Sequence, residues 1–170
     1  MRDMRDLSEV TGANRALYKP AAPPHSPGTC TRGERAMSAS ADPAEVVTTF
    51  LALWEKPGGL DRSVRDYFLP TTVWENVGLA TTTGQDEAIA LNAQLCAAVG
   101  MATIRVDNLA VAVIGNKVLT ERIDHMVNAA GETTYSAPVM GIFEIENGKI
   151  AAWRDYFDSA GAAALMQGKA

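Results

Sequence analysis

Cysteine, histidine and basic residues are scarce in this chain, and each scarcity excludes a class of function. The 170 residues include two cysteines and two histidines, and their spacing fits neither a metal-ligand set nor a disulfide framework. Lysines and arginines number 15 against 20 acidic residues, which gives a net charge of -5 and no electrostatic footprint for nucleic acid. No apolar run reaches the roughly 18 residues that a membrane-spanning helix needs. We therefore expect no metal, no nucleic-acid partner and no membrane span, in a cytoplasmic protein.

The first 36 residues differ in composition from the rest of the chain. Residues 1–36 hold four of the eight prolines together with many charges, and such a composition buries too little apolar surface to offset the entropy of ordering. We predict a disordered N-terminal extension over 1–36, with a regulatory or interaction arm as the alternative. Residues 37–170 are expected to form one globular domain that begins naturally at Met37.

Apolar periodicity and turn signals predict an α+β fold for residues 37–170. Helix signals begin at Asp42 and at Gly84, and further short helices are expected over 61–68 and 159–166. Alternating segments predict strands over 72–77, 103–114, 117–127, 135–145 and 149–157. Hairpin turns at Gly115-Asn116 and Asn147-Gly148 make the last four strands a meander. The order predicts a curved mixed or antiparallel sheet wrapped around N-terminal helices, a cone with an internal pocket.

Charged residues interrupt the apolar pattern of two predicted strands. Arg122 and Asp124 share one strand face because residues two apart in a strand point the same way. Asp155 lies between two large apolar side chains on one face of the last strand. Two carboxylates in a low-dielectric pocket do not ionise together, and an arginine between them can bond both. The trio could therefore supply an acid and a base to one reaction.

Other residues extend this candidate pocket. Asn76 shares a face with Trp74, and its amide could hold a water molecule. His125 points away from the trio and is expected at an exposed or interface position. From spacing alone, a surface or interface ion pair is the commoner interpretation of Arg-x-Asp on a strand. Besides Trp74, the residues predicted to contact a substrate, each with a plain core role as its alternative, are Leu51, Leu95, Met126, Met140, Ile142 and Phe157.

Three stretches together resemble the limonene-1,2-epoxide hydrolase family, within the NTF2-like and SnoaL-like fold group. They are VWENV at 73–77, LTERIDHM at 119–126 and GKIAAWRDYFD at 148–158, and the resemblance covers about residues 40–165. It implies a one-step, cofactor-free addition of water to an apolar epoxide of terpene-, lipid- or sterol-like character. It also implies a homodimer built on the outer face of the sheet.

The resemblance assigns a role to each polar residue of the candidate site. Asp124 would be the general acid on the epoxide oxygen, Asp155 the general base that activates water, and Arg122 the bridge between them. Asn76 would help to hold the water. The family has a tyrosine where this chain has Trp74, whose indole donates a hydrogen bond but cannot accept one. The alternatives are a ketosteroid-isomerase-like or polyketide-cyclase-like enzyme on the same fold, and a non-catalytic lipid-binding module.

Overall fold

The structure, a computed structural model, describes residues 42–166, so the predicted disordered extension over 1–36 lies outside the described residues. This part of the chain contains four α-helices, six strands and a single 3-10 turn at Leu53–Glu55. In chain order the elements are α1 (Pro43–Ala52), α2 (Gly59–Tyr67), β1 (Phe68–Asn76), β2 (Ala80–Thr83), α3 (Gly84–Val99), β3 (Thr103–Ile114), β4 (Lys117–Val127), β5 (Thr133–Glu146), β6 (Lys149–Tyr156) and α4 (Ser159–Met166). No helix in this part of the chain is long and apolar enough to cross a membrane.

One mixed sheet contains all six strands, in the order β2-β1-β6-β5-β4-β3. The predicted meander of β3 to β6 is confirmed, and every neighbouring pair in it is antiparallel. Strand β1 runs parallel to β6 and places Asn76 opposite Asp155. This parallel pairing joins the early part of the chain to the meander, and the α+β class is confirmed.

Two details of β1 and β2 differ from the prediction. The backbone becomes extended at Phe68, directly after α2, so β1 begins earlier than residue 72. Pro70, which was expected to stop the helix predicted over 61–68, lies inside β1, where the register against β6 shifts between Phe68 and Val73. A proline fits at such an irregularity because no ladder hydrogen bond from its nitrogen is needed there. The short strand β2 was not predicted, since four residues carry too little alternation to be recognised.

Aromatic side chains dominate the core between the helices and the sheet face that packs against them, which we call the inner face. Helix α1 starts where the Asp42 side chain accepts a hydrogen bond from the Ala44 N–H, and it buries Phe50 completely. On the inner face Trp153 is stacked between Trp74 and Phe143, with ring centroids 4.6 and 5.2 Å away. This three-ring stack fixes the plane of the Trp153 indole, and thereby the direction of its N–H.

Candidate active site

Arg122 joins Asp124 and Asp155 in one buried ion-pair network on the inner face. Its Nε donates to Asp124 Oδ1 at 2.9 Å and its Nη2 donates to Asp155 Oδ2 at 2.6 Å. The Arg122 side chain is 0% exposed, and the two carboxylates are 10% and 6% exposed. The guanidinium fork thus holds two carboxylates that come from different strands, β4 and β6.

Burial and the neighbouring charges shift the pKa values of Asp124 and Arg122 for different reasons. Burial raises the pKa of the Asp124 carboxyl above its ordinary value; Arg122 opposes this shift and the nearby charge of Asp155 adds to it. Burial works against the Arg122 cation, but the two carboxylates outweigh it and raise the guanidinium pKa further. A carboxyl with a raised pKa beside a permanent cation can carry a proton into a reaction.

Gly141 explains how the network fits against the sheet. Strand pairing places Gly141 between Thr120 on β4 and Asp155 on β6. The side chains of Thr120 and Asp155 point to the inner face beside Arg122, and Gly141 lies between them without a side chain. A Cβ on Gly141 would lie 2.6 Å from Thr120 Oγ1 and 3.0 Å from Asp155 Oδ1, and closer still to Arg122 Nη1. Only a residue without a side chain leaves room for the guanidinium. Sequence reasoning missed this role, although a glycine inside an otherwise apolar strand is a signal of close approach.

Asp155 is also fixed from its own strand and from β1. The Trp153 indole N–H donates to Asp155 Oδ1 at 2.7 Å, so both oxygens accept hydrogen bonds, as a carboxylate does. Across the parallel pairing, Asn76 lies beside Asp155, and Trp74 beside Trp153. Asn76 Nδ2 and Trp74 Nε1 are buried and have no hydrogen-bond partner among the described residues. The Asn76 amide is therefore a free donor next to the carboxylate.

A large cavity opens between the inner face and the helices. The empty space of the cavity and of its open mouth together is about 1050 Å³, and the cavity wall is mostly apolar. Asn76, Asp124 and Asp155 line it, whereas Arg122 lies behind the two carboxylates. Helix α4 covers one side of the cavity with Ala162, Leu165 and Met166. Asn76, Asp124 and Asp155 therefore face a space suited to an apolar molecule.

The structure separates the predicted substrate contacts into two groups. The residues that line the cavity are Trp74, Leu95, Met126 and Phe157. Three placements were wrong. Leu51 is fully buried in the core behind the cavity wall. Met140 and Ile142 alternate with Gly141 along β5, so both point to the outer face, and Met140 is 50% exposed.

His125 lies on the outer face, as its position in β4 predicted. Its Nδ1 contacts Ser136 Oγ at 2.7 Å and its Nε2 contacts Asp107 Oδ2 at 3.0 Å. This network crosses three strands and is separated from the cavity by the sheet. In the described range, 42–166, no three histidine, cysteine or acidic side chains are grouped as a metal-ligand set.

Comparison with known proteins assigns the chain to a family. The model of the limonene-1,2-epoxide hydrolase catalytic domain matches residues 41–166. Epoxide hydrolase EphG of Mycobacterium tuberculosis is 35% identical over 86 residues, which are 51% of this chain and 54% of that protein. The chain thus spans about half the length of the curated relative it matches.

Solved structures agree on the fold. A limonene-epoxide-hydrolase-like epoxide hydrolase from M. tuberculosis is 25% identical with a TM-score of 0.54, over 75% of this chain and 90% of that one. A protein from Jannaschia sp. CCS1 with the SnoaL-like polyketide cyclase fold is 19% identical with a TM-score of 0.60, over 79% of this chain and 97% of that one. The second likeness concerns the fold alone. Because the family model spans nearly all of the described residues, the chain belongs to the limonene-1,2-epoxide hydrolase family.

Proposed function

We propose that the protein adds water to an apolar epoxide and releases a vicinal diol. The observation that carries this proposal is the contact of one buried arginine with two buried carboxylates that both face an apolar cavity. Ring opening by water needs a proton donor for the leaving oxygen and a proton acceptor for the attacking water. Two carboxyl groups held in different environments can supply both.

In the proposed mechanism each carboxyl group has one task. Asp155 takes a proton from a water molecule while the water oxygen bonds to one ring carbon. The bond from that carbon to the epoxide oxygen breaks, and Asp124 gives its proton to this oxygen. The raised pKa of Asp124 favours the protonated form that the donor role requires. After the diol leaves, Asp155 holds a proton and Asp124 has lost one, and exchange with solvent restores the starting state.

We assign the holding of the water to Asn76 and Asp155. The Asn76 amide has a free buried N–H beside the carboxylate, and an amide offers both donors and an acceptor. Trp74 has a different task from the tyrosine it replaces. Its ring lies flat on Trp153 at 4.6 Å, and Trp153 in turn donates to Asp155. In this proposal Trp74 positions the base through Trp153.

The competing enzymes on this fold abstract a proton from carbon. A single pocket carboxylate is enough for that reaction, whereas the arginine-linked pair supplies a donor as well. A parallel assay of an enone or ketosteroid and of terpene, aryl and sterol epoxides separates the two proposals. Turnover of the enone with no diol from any epoxide would favour the isomerase-like enzyme. Tight ligand binding with no product over hours would favour the lipid-binding module.

The proposal includes no cofactor, a cytoplasmic location and a homodimer. The outer sheet face carries exposed apolar side chains, among them Met140 and Tyr156, which are opposite each other on β5 and β6. Exposed apolar patches of this kind are common at subunit interfaces. Sedimentation velocity of the full chain tests the homodimer, because Met140→Lys should then shift the protein toward monomer.

Replacement of the proposed base tests the function directly. Asp155→Asn keeps the size of the side chain but cannot accept the proton, so diol formation should fall by about 100- to 10,000-fold. Asp66→Asn is the matched control, because Asp66 is exposed and pairs with Arg62 outside the cavity. An Asp155→Asn protein that folds and retains full diol formation would refute the assignment.

A further inference from the structure

Four polar residues of the cavity wall have no part in the mechanism above, namely Ser63, Asn92, Tyr135 and Asp158. Asn92 lies on α3, and it faces the cavity together with Leu95 and Val99, one and two turns further along the helix. It is 8% exposed, yet its side chain makes no hydrogen bond to any group within residues 42–166. An amide that could donate twice and accept is therefore directed at the cavity without a protein partner.

An amide in this position is open to the solvent of the cavity, which can pair with it while no ligand is bound. A ligand that displaces this solvent without pairing with the amide leaves a polar group unsatisfied, which is unfavourable. Leucine has about the same size, is a better helix former and would match its neighbours Leu91 and Leu95. Neither the helix nor the core therefore explains an asparagine at position 92, and a ligand that pairs with the amide would.

The position of Asn92 limits what the ligand can be. Asn76, Asp124 and Asp155 project from the sheet, whereas Asn92 projects from the helical wall of the same cavity. The wall is otherwise mostly apolar, including Ile104 and Met126. Because a neutral amide both donates and accepts, it suits a hydroxyl or carbonyl oxygen better than an ion.

We propose that Asn92 is a specificity residue that binds a neutral oxygen group of the substrate at a point away from the epoxide ring. This inference rests on the proposed function and narrows it. The preferred substrates are apolar epoxides with a second oxygen function, a hydroxyl or a carbonyl, rather than pure hydrocarbons. A site that hydrogen-bonds a substrate hydroxyl discriminates against the analogue without it, since its own polar group then stays unpaired.

The experiment compares two epoxides that differ only in the remote oxygen, the epoxide of 1-decene and the epoxide of 9-decen-1-ol. Their flexible chains let the hydroxyl find Asn92 without a fixed separation from the ring. The wild-type protein should prefer the hydroxylated epoxide in kcat/KM by about tenfold or more, chiefly through KM, because binding remote from the reacting atoms is uniform. Asn92→Leu should abolish or reverse this preference.

The control is Gln94→Leu, which makes the same kind of change at an exposed position of the same helix. It should keep the wild-type preference. Equal turnover of the two epoxides by the wild-type protein, or an unchanged preference in Asn92→Leu, would overturn the inference and leave the proposed function intact.

Failure of the proposed function has a separate signature. All three tryptophans of the chain, Trp54, Trp74 and Trp153, line the cavity, so their fluorescence reports ligand binding without any reaction. If neither epoxide is hydrolysed, 1-decanol should still bind the wild-type protein about tenfold more tightly than it binds Asn92→Leu. Equal binding to the two proteins would refute the role of Asn92 independently of catalysis.

Discussion

Gly141→Ala places one methyl group where the ion-pair network leaves no room. The added Cβ would lie 2.6 Å from Thr120 Oγ1 and 3.0 Å from Asp155 Oδ1, and it would press against Arg122 Nη1. All three neighbours are buried, and Arg122 is held at both ends of its fork, so none can turn away into solvent. The backbone at Gly141 is ordinary strand, which means that the clash alone decides the outcome.

The magnitude follows from how the neighbours can respond. Overpacking of a well-filled interior costs about 1 to 3 kcal/mol of unfolding free energy. If instead the guanidinium moves by about 1 Å, it loosens its 2.6 Å contact with Asp155, and a misplacement of that size costs on the order of 100-fold in rate. We therefore expect a folded protein with modestly lower stability and a loss of diol formation of about 100-fold.

The assay combines diol formation with urea unfolding of the same preparations. Glu146→Ala is the control, because Glu146 is an exposed residue of the same strand, β5, and does not line the cavity. It should leave kcat and KM within about threefold of the wild-type values, because it removes no contact with the substrate. A Gly141→Ala protein with the stability and rate of the wild type would refute both the tightness of the site and the need for a fixed Arg122–Asp155 contact.

Four further predictions concern the charged trio and the tryptophan stack. Diol formation should fall as the pH rises through the raised pKa of Asp124, because the proton donor is lost, and a pH–kcat profile checks this. Between about pH 3.9, the ordinary value for an aspartate, and this raised pKa the folded chain binds more protons than the unfolded chain. The contribution of Asp124 to the unfolding free energy therefore decreases with rising pH, and Asp124→Asn should remove that slope in urea titrations. Arg122→Lys keeps the charge but cannot bond both carboxylates in one plane, so kcat should fall at least tenfold in a steady-state assay. Trp74→Phe removes an unpaired N–H, whereas Trp153→Phe removes an N–H that is bonded to Asp155. Trp153→Phe should therefore lower the unfolding free energy in urea by at least about 1 kcal/mol more than Trp74→Phe does, and it should lower kcat far more. Equal losses in the two variants would contradict the positioning role of Trp153.

The site shows which parts of a structure strand alternation can predict. The two-residue period placed Arg122 with Asp124, and the order of hairpins brought their strand near Asp155, so the convergence of the trio could be expected. The inward-facing residues of β5 follow from its register with β4, in which Gly141 is opposite Thr120. Met140 and Ile142 alternate with Gly141 and therefore do not face the cavity. Register between strands is set by turn geometry and packing together, and apolar character alone does not reveal it.

The parallel pairing of β1 with β6 could not be predicted from local signals. Hairpin turns report only pairings between consecutive strands, whereas Asn76 and Asp155 meet across a large separation in the chain. Likewise the sequence does not show which helical side chains face the cavity. The packing of α3 directs Asn92 and Leu95 toward it, whereas the packing of α1 buries Leu51 in the core. Such non-local contacts depend on the whole fold.

The central place of β6 in the sheet has a consequence for the order in which activity can arise. Among the described strands β6 comes last in the chain, yet it lies between β1 and β5. Until β6 inserts, Asn76 on β1 and Asp124 on β4 belong to two groups of strands that are not hydrogen-bonded to each other. During synthesis the ribosome must therefore release β6 before Asp124 and Asn76 can be joined in one sheet. The pairing of β6 with β1 joins residues that are far apart in the chain, and such pairing is slow. The recovery of activity on refolding should therefore follow, and never precede, the insertion of β6 between β1 and β5.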